Sequence, residues 1–238
     1  MISAMLFAAG LGTRLYPLTA NKPKALVEYQ GKPLLEHAVT KLLETGIEHI
    51  VVNVHHFGEQ IIDFFNQHHF NARIDISDER EKLLDTAGGL KFAEPFFKTS
   101  NQILLYNVDV ISSIDLRKFI NFDSEKQKAK EEPLATLAVR HRQSSRYFLF
   151  EEPKLRLCGW ENTKTCEKII CYEAENPTPL AFSGIHCVNK KILDLIPKNE
   201  KISFTPLYLE LAKKYHIQGY VHDEDIWEDM GESLKFKV

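Results

Sequence analysis

A largely apolar run, Ile2 to Ala8, empties directly into the turn Ala9-Gly10-Leu11-Gly12-Thr13-Arg14. Glycines at the carboxyl end of a buried strand let backbone N–H groups approach a phosphate that side chains would hold away. That combination points to a sheet with parallel strands, whose carboxyl ends carry the ligand. Two common phosphate loops fail on spacing. Leu15 stands where a dinucleotide fingerprint needs its third glycine, and no Gly-Lys-Ser/Thr follows at P-loop distance.

The pattern downstream supports an α/β class. Ile50 to Val54, Ile74 to Ile76 and Ile103 to Asn107 read as strands of one buried sheet. Leu34, Leu35, Ala38, Val39, Leu42 and Leu43 recur at helical spacing, as do Ile61, Ile62, Phe64 and Phe65, and 86–97 also suits a helix. The expected architecture is a Rossmann-like, mostly parallel sheet flanked by helices. Beyond it, 114–122 predicts a helix and 123–132 a solvated, charged loop. Then come strands at 135–139, 147–150 and 181–188, with helices at 190–195 and 207–214. We expect a single domain, 1–238, with a nucleotide-binding half at 1–122 and a second half at 133–238 that adds a small lobe.

Composition narrows the partners. The 30 basic and 33 acidic residues give a net charge of −3, which offers no general attraction to nucleic acid. An anionic ligand therefore needs local cations or a metal. The opening apolar run is too short for a membrane span, has no basic flank and leads to no cleavage site, so it reads as a strand rather than a signal. Cysteines at 158, 166, 171 and 187 form no C-x-x-C pair, which fits reduced thiols in a cytoplasmic protein with no membrane association, a monomer or small homo-oligomer. His55-His56 and His68-His69 make no metal-binding pattern, since adjacent residues of a strand face opposite ways.

Arg14, Lys22 and Lys24 place positive charge near the glycine turn. Asp109 closes the apolar run at 103–108 and so falls at the sheet edge where ligands bind, whereas Asp229 comes late, just before Gly231. Each aspartate also reads as a helix cap, Asp109 ahead of the helix near Ile114 and Asp229 ahead of the last helix.

Taken together, G-x-G-T-R-x-x-P-x-T with Lys22-Pro23-Lys24 resembles the signature of the sugar nucleotide pyrophosphorylases, or nucleotidyltransferases. Asn107-Val108-Asp109 resembles that family's N-G-D motif, with Val108 in place of glycine, and Trp227-Glu228-Asp229-Met230-Gly231 resembles W-x-D-V-G. The resemblance implies a GT-A-like fold with a sugar-binding lobe. It also implies an enzyme that joins a nucleoside triphosphate to a sugar 1-phosphate and releases pyrophosphate. In this chain Ala9, Gly10, Gly12, Thr13, Arg14, Gly88 and Asn107 would bind the nucleotide, Arg14, Lys24 and Asp109 would act in catalysis, and Asp109 with Asp229 would hold Mg²⁺. Asn162, Glu173, Ser183 and Gly184 would face the sugar, although the lysine that usually follows the glutamate is Ala174 here. The compact length and Leu84-Asp85-Thr86-Ala87-Gly88-Gly89 are most similar to uridylyl- and guanylyltransferase members. A phosphocholine cytidylyltransferase and a non-catalytic nucleotide-binding regulator, with Val108 as its cause, are the alternatives.

Overall fold

The computed structural model describes residues 2–128 and 132–233. In chain order its strands are β1 (Ile2–Phe7), β2 (Glu28–Tyr29), β3 (Lys32–Pro33), β4 (His49–Val54), β5 (Arg73–Asp78), β6 (Gln102–Asn107) and β7 (Val110–Ser112). They continue as β8 (Ala135–Arg140), β9 (Arg146–Glu151), β10 (Arg156–Asn162), β11 (Glu167–Ile170), β12 (Thr178–Asn189), β13 (Ile217–Val221) and β14 (Trp227–Asp229). The α-helices are α1 (Leu34–Leu43), α2 (Gly58–Gln67), α3 (Asp85–Phe92), α4 (Leu116–Lys128), α5 (Phe204–Ala212) and α6 (Met230–Ser233). No helix among the described residues is long and apolar enough to cross a membrane.

Ten strands form one sheet in the order β11-β10-β13-β8-β12-β6-β1-β4-β5, with β9 pairing β10 and β12. The first half is the expected parallel unit, because β1 pairs parallel with both β4 and β6. Its central strands β1, β4 and β6 are mostly apolar and buried because both faces are covered. Met5 and Phe7 of β1, with Ile103 and Leu105 of β6, enter a core shared with α3 and α5; Ala4, Leu6, Leu104 and Tyr106 enter another shared with α1, α2 and α4. Truncating a fully buried side chain such as Leu104 to alanine would cost about 2–5 kcal/mol.

The second half continues this sheet rather than starting another, and it does so in mixed fashion. β12 runs antiparallel beside β6, with Ile185 opposite Tyr106, while β13 pairs parallel with β8. The hairpin of β10 and β11 occupies a stretch where the sequence shows no clear alternation.

One helix outruns its expected end. The 123–132 segment was expected to be a loop, yet α4 continues to Lys128; residues 129–131 lie outside the described chain. Asp123 explains the difference. It is fully buried and accepts hydrogen bonds from Gln102 Nε2 and Thr136 Oγ1, so a residue of a charged run is anchored inside.

Candidate active site

Parallel pairing sets three strand ends side by side. Phe7 of β1 is in register with Asn53 of β4 and Asn107 of β6, so the turns after all three open on one edge. The chain moves from β1 to β4 and β5, then crosses back to β6 on the other flank of β1, which opens a crevice at the carboxyl ends. A cleft of about 340 Å³ lies there, with Ala8 to Gly10 on one wall and Asn53, Thr86, Asn107 and Lys201 among its polar groups.

Gly12 sets the course of the turn. Its φ is +66°, and an added Cβ would lie 2.9 Å from Thr19 Cγ2 and 3.2 Å from Lys24 Cβ. Thr19 Oγ1 donates to the Gly12 carbonyl at 2.9 Å, folding 13–24 back over the strand end. Among the described residues, the amides of Gly10, Leu11, Gly12 and Thr13 donate to no protein acceptor, which leaves them available to an anion.

A polar network that sequence reasoning missed braces the turn. The Ala8 N–H donates to Asn53 Oδ1 at 2.8 Å, and Asn53 Nδ2 donates to Glu79 Oε1 at 2.8 Å. Glu79 also accepts from the Leu84 N–H at 3.4 Å, tying the glycine turn to the opposite wall. Burial pushes the Glu79 carboxyl above the ordinary glutamate range. Its one sequence signal was a glutamate just past the end of an apolar strand.

At the mouth of the cleft, cations and carboxylates meet. Lys24 Nζ donates to Asp109 Oδ2. Arg14 Nη2 lies 3.9 Å from Asp109 Oδ2, and Nη1 lies 3.4 Å from Asp229 Oδ2. Asp229 arrives because β14 pairs antiparallel with β7, placing it opposite Val110, and because the Met230 N–H donates to the Asp109 carbonyl at 2.9 Å. The cap readings separate here. Asp115, not Asp109, accepts from the Lys118 N–H at the start of α4, whereas Asp229 does accept from the Gly231 N–H at 2.8 Å.

Burial, then the neighbouring Asp109 charge, raise the Asp229 carboxyl above the ordinary aspartate range. Two adjacent carboxylates of this kind favour a shared cation. Among the described residues no group of three or more His, Cys, Asp or Glu side chains gathers for a metal. The donor set suits an ion that takes one or two carboxylates and fills its remaining positions with phosphate and water oxygens, as magnesium does. Gly231 lies close against the seam, since an added Cβ would fall 2.9 Å from both Lys24 Nζ and Asp229 Oδ1 and would make those side-chain ends shift.

Val108 is buried in the core with Leu6 and Tyr106, and its N–H bonds to the Phe7 carbonyl. It borders the cleft without closing it. Lys22 is exposed and borders no cleft described here, and Thr13 lies exposed on the turn.

The remaining expected residues do not line the clefts beside this junction. The Gly88 N–H donates to the Ile202 carbonyl, and an added Cβ would meet the Glu200 carbonyl at 2.3 Å, so this glycine serves close chain packing. Asp85 and Thr86 border the cleft in its place. Ser183 is fully buried, its Oγ 2.7 Å from His222 Nε2. Gly184, with φ +75°, lets the Asn107 amide pack against β12, where an added Cβ would come within 2.8 Å of Nδ2. Asn162 accepts from the Lys164 N–H in the β10–β11 turn, and Glu173 is exposed and lines no part of the cleft.

A second cleft, of about 600 Å³, opens on the other side of Arg14 and Asp229. Phe148, Trp160 and Phe182 form its apolar wall, and Arg142 and Arg146 add charge. Among these, Trp160 and Phe182 lie beside Asn162 and Ser183, the residues expected to face a sugar. Arg142 sits in the connection between β8 and β9 and Arg146 opens β9, with no motif to mark either.

Residues 3–236 match the model of the nucleotidyl transferase family. The chain is 29% identical to the N-acetylmuramate alpha-1-phosphate uridylyltransferase of Caulobacter vibrioides, over 96% of this chain and 91% of that one. It is 28% identical to the mannose-1-phosphate guanyltransferase of Pichia angusta, over 99% of this chain but only 62% of the relative's length. The UDP-glucose pyrophosphorylase structure from Acinetobacter baumanii superposes with a TM-score of 0.78 at 18% identity, covering 100% of this chain and 91% of the other, a likeness of fold.

Proposed function

Because the chain belongs to the nucleotidyl transferase family, we propose that it transfers a nucleoside monophosphate from a nucleoside triphosphate to a sugar 1-phosphate, yielding an NDP-sugar and pyrophosphate. The observation that carries this reading is the junction of Arg14, Lys24, Asp109 and Asp229 between two clefts. A transfer between two polyanions needs one pocket for each and a cationic seam where they meet.

A phosphate oxygen of the acceptor forms a bond to the α-phosphorus as the bond from that phosphorus to the α,β-bridging oxygen breaks. The electron pair leaves with pyrophosphate. The attacking phosphate is already an anion, so no side chain has to remove a proton. The amides of 10–13 and Arg14 hold the departing phosphates, and Lys24 steadies the α-phosphoryl group. Asp109 and Asp229 would hold magnesium, which when bound would neutralise charge on the phosphate oxygens. Asn107 and Thr86 border the nucleoside side of the first cleft. The relatives' names favour uridine or guanosine triphosphate as donor, and such a donor implies a cytoplasmic setting.

Pyrophosphate release from a panel of triphosphates and sugar 1-phosphates tests the assignment. Turnover with UTP or GTP, a sugar 1-phosphate and magnesium is the expected result. Turnover confined to CTP with phosphocholine would overturn the sugar assignment, and triphosphate binding without turnover on any acceptor would make the chain a regulator.

A further inference from the structure

Arg142 lies in the segment between β8 and β9 and borders the second cleft, half-buried. Its guanidinium carbon sits 4.4 Å from the centroid of the Trp227 ring. Nη1 donates to the Gln143 carbonyl at 3.3 Å and Nη2 to the Phe182 carbonyl at 3.2 Å, so the fork is held in place. Trp227 is held in turn, its Nε1 donating to the Ser183 carbonyl at 2.9 Å, and it lies two residues before Asp229 on β14.

What Arg142 lacks is an anion. Among the described residues no carboxylate lies within ion-pair distance of it, and its buried Nε–H meets no acceptor. Arg14 differs, having Asp109, Asp229 and Glu232 as neighbours within 3.9 Å. Burial lowers the Arg142 pKa, opposed by the charges of Glu232 and Asp229, which places this cation within electrostatic reach of the junction. A partly desolvated guanidinium without a counter-ion is costly, and a phosphate supplies the planar pair of oxygens that its fork matches. Arg146, exposed at the start of β9, has no comparable fixing.

We propose that Arg142 binds the phosphate of the acceptor and turns its oxygen towards the α-phosphorus, with the ring face of the acceptor against Phe148, Trp160 and Phe182. This rests on the two-substrate reading above. The test is initial-rate kinetics on the full chain, varying acceptor at saturating triphosphate and then the reverse, for Arg142→Gln and Arg142→Lys. Arg142→Gln should raise the acceptor KM by about tenfold or more while the triphosphate KM stays within about threefold. Arg142→Lys should fall between, since lysine keeps the charge and loses the fork and the stacking. An unchanged acceptor KM, an equal rise in both KM values, or a fall in kcat alone would overturn the proposal. Should Arg142→Gln fail to fold, the lysine variant decides on the same criteria. An unsubstituted chain inactive on every pair overturns the functional reading and this inference with it; an active enzyme indifferent to Arg142→Gln overturns only the inference.

Discussion

The first cleft is made of backbone and of strand ends that parallel pairing must bring together, whereas the second is made of side chains gathered from β9, β10, β12 and the connection ahead of β9. In the first, one turn of glycines and three registered strands do most of the positioning. In the second, no short segment holds more than a fraction of the wall. The lesson is that a backbone-built site tolerates little change at a few glycines, while a side-chain site is open to substitution residue by residue. On the proposed function, selectivity for the acceptor would reside in the second cleft, and phosphate transfer at the seam.

The strongest way to break this division is Asp109→Asn. It removes the carboxylate that pairs with Lys24 and faces Asp229, so kcat for pyrophosphate release should fall by about 10²- to 10³-fold. Retained turnover would sink the metal and junction model. Gly231→Ala comes next. The new methyl would press on Lys24 Nζ and Asp229 Oδ1, and kcat should drop by about tenfold or more without loss of the native circular dichroism spectrum. A fully active variant would show that the seam is looser than its contacts imply.

Ser183→Ala sharpens the boundary of the second cleft. With the Ser183 hydroxyl gone, His222 Nε2 loses its partner, and urea denaturation should register a loss of about 1 kcal/mol. The acceptor KM should not move; a rise would return Ser183 to the sugar site. The smallest effect belongs to Glu79→Gln. The folded state holds the Glu79 proton to higher pH than the unfolded chain, so it binds more protons in the window from the ordinary glutamate value up to the raised one. Unfolding free energy consequently falls as pH rises through that window, and the glutamine variant should show a shallower slope. An unchanged slope would place its source elsewhere.

Much of the first cleft was legible because its signals are local. The glycine turn, Lys24 and the Asn107–Asp109 strand end occupy short, regular segments, and glycine's requirement at residue 12 follows from a positive φ. Asp229 was legible through the spacing around Trp227. Ser183 and Gly184, expected to face the sugar, sit differently in three dimensions, because the register of β12 shifts between Phe182 and His186, with Ser183 turned inward and Gly184 against Asn107. A bulge changes which face a residue presents, and a short motif resemblance does not reveal one.

By itself the sequence determined that a buried strand ends in a phosphate-suited glycine turn, that strands and helices alternate through the first half, and that aspartates stand at 109 and 229. Those features are matters of chain stiffness, apolar periodicity and side-chain size, all local. Only the tertiary structure decided that β14 pairs with β7 and so sets Asp229 beside Asp109. The same is true of Glu79 reaching the glycine turn through Asn53, and of Arg142 stacking on Trp227 without a carboxylate. Each joins residues 26 or more positions apart, and their meeting depends on sheet order and register, which are decided by the packing of the whole core.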